Sequence, residues 1–202
     1  MSRWWLMVWG LCVWGALSGC GPDKHLGPRL RVSPPADEVR NTQTDMWMEQ
    51  IKAQGKDGYW LVIRGYKEAD HLIVTATSTP LSHAAVLDLG NEQVVESVAK
   101  GVIRTPLRKF VHNAHRVLLI KPRWWNEDAG AAAAAEAQSL VGSGYDYAGL
   151  VGLSSDSRFY CSELAFHVYR KHHSDRDHIP MVIEPGQMYL WGQVLWDSYT
   201  RD

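Results

Sequence analysis

The sequence predicts an α+β domain in which an antiparallel sheet packs against helices. Three observations carry this reading. Apolar runs of strand length alternate with turn signals between Tyr59 and Lys121. The dipeptide Gly90-Asn91 sits between two runs that alternate in character, as in a hairpin. Two helical segments with start signals follow, one after Asn126 and one at Tyr160.

Taken in order, Asp45–Gln54 reads as a short helix with Met46, Trp47 and Ile51 on one side. The Asp57-Gly58 turn signal then leads into a strand, Tyr59–Arg64. Tyr66–Thr77 reads as helix and stops before Pro80. Ser82–Leu89 and Glu92–Ala99 are the two arms of the hairpin, with positive φ assigned to Gly90. Gly101–Thr105 continues the sheet, Pro106–His112 is helical, and Arg116–Lys121 is another strand. Asn126 caps a helix over Glu127–Val141, which carries acids in its first turn and Gly142 as its stop. The last predicted helix runs from Tyr160 to His173, with Arg170 and Lys171 at the end where the dipole favours cations.

The N-terminus has a different character. Arg3 precedes an apolar stretch, Trp4–Leu17, and small residues follow at Ser18 and Gly19, the pattern of an export signal. The apolar run is shorter than the roughly 20 residues a spanning helix needs. Leu17-Ser18-Gly19-Cys20 has the form of a bacterial lipoprotein processing site. It implies removal of residues 1–19 and diacylation of Cys20. Gly21 rather than Asp follows the cysteine, which resembles the lipoprotein pattern sorted to the outer membrane. Pro22, Pro28, Pro34 and Pro35 mark residues 20–45 as a tether, leaving 46–202 as the folded domain.

Composition limits the function classes. About 180 residues remain after processing, enough for one domain with a core. Of 21 basic residues only Arg3 falls in the leader, leaving 20 against 22 acidic ones, a net charge of −2. That balance gives no basis for nucleic-acid binding. Cys12 is removed with the leader and Cys20 is lipidated, so Cys161 is the one free thiol of the mature chain. A lone thiol in an exported protein has no disulfide partner, and its presence asks for a reason.

The hairpin gives the most specific expectation. With Gly90-Asn91 at the tip, Ala85 faces Glu96 and His83 faces Val98. His83, Ala85, Leu87, Val94, Glu96 and Val98 then share one face. Four of the six are apolar, so the face is buried. His83 and Glu96 sit diagonally, about 7–8 Å apart at the backbone and within side-chain reach. Two buried titratable groups satisfy each other most economically by bonding together. A carboxylate on one ring nitrogen leaves the other free to act as base. A purely structural pair, or a hairpin shifted by one residue, is the competing reading.

Cys161 shares a stripe with Leu164, Ala165 and Val168 at the start of its helix. Free N–H groups and a nearby imidazolium there lower a thiol pKa into the range of about 3.5–7.5. The Cys161 N–H is also a candidate donor to an oxyanion. A small buried hydrophobe is the competing reading for Cys161, and simple helix-start chemistry suffices for Glu163.

Asp57–Gly65, Ser82–Leu87, Val94-Val95-Glu96 and Tyr160-Cys161-Ser162-Glu163-Leu164 together resemble the circularly permuted papain-like proteins of the NlpC superfamily, in the YiiX/YaeF-like branch, some of whose members are lipoproteins. The resemblance extends from Asp57 to about Gln187. It implies a permuted papain-like fold and a catalytic triad of Cys161, His83 and Glu96. Tyr145-Asp146-Tyr147 also resembles a family segment, and Tyr145 and Tyr160 are candidate cleft residues. The family's usual Gly-Asp signal is reversed here as Asp57-Gly58, so no role passes to that aspartate. The implied activity is thiol-dependent hydrolysis or acyl transfer on an amide or ester, in a peptide, a cell-wall peptide or an acyl-lipid. No cofactor or metal is required, and the oligomeric state is left open.

Two other classes stay in view. One is a non-catalytic binding lipoprotein built on a papain-like cleft. The other is a metal-binding protein using His167, His172, His173 and His178, whose spacing suits a helical ligand pair poorly.

Overall fold

The computed structural model describes residues 31–153, 155 and 157–200. The expected leader, Cys20 and the tether up to residue 30 lie outside the described residues. In chain order the elements are α1 (Asp37–Gln54), β1 (Trp60–Gly65), α2 (Glu68–Thr77), β2 (His83–Asp88), β3 (Gln93–Val98), β4 (Gly101–Pro106), α3 (Leu107–His112), β5 (Ala114–Pro122), α4 (Glu127–Ser139), β6 (Gly144–Tyr145), β7 (Arg158–Phe159), α5 (Cys161–His167) and β8 (Gly192–Asp197).

Six strands form one antiparallel sheet in the order β4-β3-β2-β1-β5-β8. Both faces are covered, which is why β1 is buried along its whole length and reads as an unbroken apolar run. On one face Trp60, Val62, Ala84, Val86, Val95, Leu118 and Ile120 pack against Ala129, Ala133 and Ala137 of α4 and Leu164, Ala165 and Phe166 of α5. On the other, Leu61, Ile63, Ala85, Leu87, Val94, Val117 and Leu119 meet Trp47, Met48 and Ile51 of α1 and Leu107, Phe110 and Val111 of α3. The alanines of α4 let that helix lie close to the sheet. Asn126 caps it by accepting the Ala129 N–H at 2.8 Å.

The expected α+β class and antiparallel sheet are present, with four corrections. The tether does not run to residue 45, because α1 begins at Asp37. Its first two turns are polar and escape a hydrophobicity reading. Arg40 ties them down by donating to the His112 carbonyl and to Asn113 Oδ1. The hairpin tip is not a two-residue turn with Gly90 at positive φ. It is a single 3-10 turn, Leu89–Asn91, and Glu92 takes the left-handed conformation at φ 48°. The helix that starts at Cys161 ends at His167 rather than His173, and Arg170–His172 forms a separate 3-10 turn. Tertiary packing overrides propensity there: Tyr169 is fully buried and its hydroxyl donates to the Gly58 carbonyl. Finally, β6, β7 and β8 had no distinct signal, since two are two residues long and β8 is half-exposed.

Trp60, Trp124, Trp125, Trp191 and Trp196 belong to or pack on the two cores. Trp60 stacks on Phe166 with centroids 4.9 Å apart, and its N–H donates to the Ala165 carbonyl at 3.1 Å.

Candidate active site

The predicted hairpin register is the observed one: Ala85 opposes Glu96 and Leu87 opposes Val94. His83 therefore projects from the same face as Glu96. His83 Nε2 donates to Glu96 Oε2 at 2.5 Å, and the histidine side chain is 14% exposed. The other carboxylate oxygen, Oε1, accepts the Thr105 hydroxyl at 2.5 Å. Thr105 lies on β4 opposite Val94, diagonal to Glu96 on the same face. Phe110 closes over the imidazole with ring centroids 6.0 Å apart.

Cys161 reaches this pair from the far part of the chain. The pairing of β2 with β3 extends no further than Ala85 and Glu96, so the strands separate just where α5 begins. The sulfur occupies the gap. It hydrogen-bonds the His83 ring and receives the Ala84 backbone N–H. Because Nε2 is taken by Glu96, the contact with sulfur falls to Nδ1. Ser162 Oγ is also near the sulfur, but its one proton goes to the Ile183 carbonyl at 2.6 Å. Cys161 is 5% exposed and, among the described residues, forms no disulfide.

Distant groups hold the cysteine segment. Ser97 donates to the Phe159 carbonyl at 2.5 Å, and the Asp146 N–H reaches the same oxygen at 3.2 Å. Glu163 Oε2 accepts the Tyr160 N–H at 3.1 Å, so this acid serves the helix start. Of the two candidate cleft tyrosines, Tyr160 is 2% exposed and its hydroxyl accepts the Ile183 N–H, so it supports the site from beneath rather than lining an opening. Burial pushes its phenol up to about 12. Tyr145 is half-buried beside Cys161, and burial with the nearby sulfur and Tyr147 raises its phenol further. Asp57, left without a role by the sequence, accepts the Leu89 and Gly90 N–H groups and fixes the hairpin tip.

The electrostatics favour a thiolate–imidazolium pair. Burial disfavours the His83 cation, but Cys161 and Glu96 outweigh it and push the ring up to about 10. Burial likewise disfavours the Cys161 anion, yet the His83 charge, its hydrogen bond and the Ala84 N–H lower the thiol below its ordinary value. Glu96 is held below the ordinary carboxylate value despite burial, by His83 first and then by Thr105 and Lys67.

With this geometry in place, the family described as the permuted papain-like amidase enzymes, YaeF/YiiX, C92 family, matches residues 61–184. The chain belongs to this family. The matched span runs from β1 to beyond α5 and contains His83, Glu96 and Cys161, while α1 and β8 lie outside it. Among solved structures, the chain is similar to the metalloprotein YiiX from Escherichia coli O157:H7, at 24% identity and a TM-score of 0.48, over 58% of this chain and 66% of that one. No curated protein matches it.

Sequence reasoning missed Thr105, Ser97 and the Ala84 N–H as parts of this candidate site. Thr105 had a readable signal: a buried carboxylate needs more than one donor, and the next strand places a hydroxyl on its face. The other two depend on where α5 docks, and no local pattern encodes that.

Proposed function

We propose that this chain is a membrane-anchored cysteine hydrolase that cleaves an amide or ester bond through Cys161, His83 and Glu96. The observation that carries the reading is the imidazole held between a buried sulfur and a buried carboxylate. Membership of an amidase family supports the bond class. The Cys161 thiolate attacks the carbonyl carbon and forms a C–S bond. The Cys161 N–H, heading α5, is placed to donate to the oxygen as it gains charge. Collapse breaks the bond to the leaving group, which takes the proton from His83. Water then attacks the thioester and gives its proton back to His83, releasing the acid and restoring the thiolate. Glu96 orients the ring and stabilises its charge, and Thr105 fixes Glu96.

The lipobox at Leu17–Cys20 supports anchorage through an acylated Cys20, on the periplasmic face of the outer membrane. Peptide, cell-wall peptide and acyl-lipid substrates all suit this chemistry. YiiX is described as a metalloprotein. Among the described residues of this chain no three His, Cys, Asp or Glu side chains gather where they would share an ion.

The test is the rate of iodoacetamide alkylation of Cys161 against pH. Fast modification below pH 7 that collapses in His83→Ala is expected. A thiol equally slow in both proteins would reject the catalytic pair in favour of a binding protein.

A further inference from the structure

Exposed apolar side chains are ordinary when scattered, but informative when grouped. Among the described residues twelve large apolar side chains are exposed, and four fall within seven consecutive residues: Tyr147 (63%), Leu150 (46%), Val151 (74%) and Leu153 (69%). A fifth, Met181 (76%), packs beside Gly152, where an added Cβ would lie 2.8 Å from its Cε. The remainder are spread over α1, α2 and the C-terminal segment.

The loop that displays this group is held in shape. Asp146 is fully buried and its carboxylate accepts the Gly149 N–H at 3.0 Å and the Ser155 N–H at 2.9 Å. The Val151 and Leu153 N–H groups both bond to the Ala148 carbonyl, and Tyr147 donates to the Ala99 carbonyl. The sequence thus builds an ordered turn whose outer side is apolar. Gly152, at φ 81°, makes the sharp return that a side-chain-bearing residue takes only under strain.

We propose that the loop Tyr147–Leu153, with Met181, seats the domain on a lipid bilayer. The chain outside the described residues argues for this occupant over others. It carries Cys20, the residue to be acylated, and it joins the domain at Arg31, which pairs with Glu68 at the start of α2. The eleven residues from Cys20 to Arg31 span at most about 36–40 Å, so an acylated Cys20 keeps the domain within about its own diameter of the membrane. At that effective concentration a small apolar group suffices to choose which side of the domain meets lipid. No helix among the described residues is long and apolar enough to cross a membrane, so the contact is at the surface. The loop follows Tyr145, whose ring meets Tyr147 at 4.6 Å and whose phenol feels Cys161, so seating it turns the cysteine side of the domain to the bilayer. Exposed Lys100 and Arg158 adjoin the segments that hold the loop and favour anionic lipid.

This inference rests on the membrane-anchored reading, but its test needs no turnover. The full chain carrying Cys161→Ala is reconstituted into phosphatidylethanolamine–phosphatidylglycerol vesicles containing a phospholipid with a photoreactive acyl chain, and the labelled peptides are mapped. Labelling of 147–153 and Met181 is expected, falling about tenfold in Val151→Asp/Leu153→Asp. Both substituted positions are exposed, and an unchanged near-ultraviolet circular dichroism spectrum would establish that the double variant is folded. Labelling at Cys20 with an unlabelled loop overturns the proposal and leaves anchorage standing. No labelling anywhere overturns both. An unlabelled loop on a chain that sediments as a dimer assigns the face to a second copy instead.

Discussion

The hairpin half of the site and the cysteine half are built by different means. His83 and Glu96 are thirteen residues apart and meet through strand pairing, where the alternation of side chains alone decides that they share a face. Cys161 arrives from the far end of the domain. It is held by bonds to backbone groups from distant residues: Ser97 to the Phe159 carbonyl, Trp60 to the Ala165 carbonyl, and Ser162 and Tyr160 to the two polar groups of Ile183. The hairpin sets the chemistry of the base. The side-chain bonds set the distance to the nucleophile.

Breaking the hairpin half has the largest effect. His83→Ala removes the cation that lowers the thiol and the base that moves its proton. Alkylation of Cys161 at neutral pH is expected to fall about 10²–10⁴-fold. A smaller drop would mean that α5 and the Ala84 N–H alone activate the sulfur.

Ser97→Ala probes the other half. It removes one of two donors to a buried carbonyl and costs about 1–3 kcal/mol of stability by urea unfolding. Cys161 reactivity should fall, while the His83–Glu96 proton resonance stays in place by NMR. Loss of that resonance would show that the halves are not separable.

Thr105→Val keeps the shape but leaves Glu96 Oε1 without its hydroxyl donor, at a cost of about 1–2 kcal/mol. The His83 pKa should move by less than in Glu96→Gln, since Thr105 acts only through the carboxylate. An equal shift would make Thr105 a direct partner of the ring.

The smallest effect is a pH profile that belongs to the pair as a unit. In the unfolded chain His83 is neutral above about 6.5 and Cys161 keeps its proton below about 9. In the fold that single proton sits on His83. Between those two values both states hold one proton, so the pair adds no slope to stability. Below about 6.5 the unfolded histidine binds a second proton, and stability falls as pH falls. Above about 9 the unfolded thiol loses its proton while the folded pair keeps one up to about 10, and stability falls as pH rises. The urea midpoint relative to that of His83→Gln/Cys161→Ser should therefore be level across this window and decline on both sides. A midpoint difference that slopes steadily through neutrality would mean that the folded pair holds no proton, or two, rather than one.

Much of the hairpin half was legible because its signal is local. Leu87, Val94, Ala85 and Glu96 alternate in the sequence, and a period of two is enough to fix their face. The tip was misread because Asp57, more than thirty residues upstream, supplies its hydrogen bonds and lets Glu92 rather than Gly90 take the left-handed conformation. The first turns of α1 were invisible because their anchor, Arg40, bonds to a carbonyl at the end of α3. The end of α5 was overrun because residues 168–173 are acceptable helix formers, and only the burial of Tyr169 against Trp60 decides otherwise.

By itself the sequence determined strands β1 to β5, the register at the hairpin and the shared face of His83 and Glu96. Each follows from the alternation of side chains along paired strands. Only the tertiary structure decided that the sulfur lies against the imidazole, that Thr105 and the Ala84 N–H complete the site, and that Tyr160 is buried beneath it. Those outcomes depend on where α5 docks at the parting of β2 and β3. That position is set by contacts across a hundred residues, which no local pattern records.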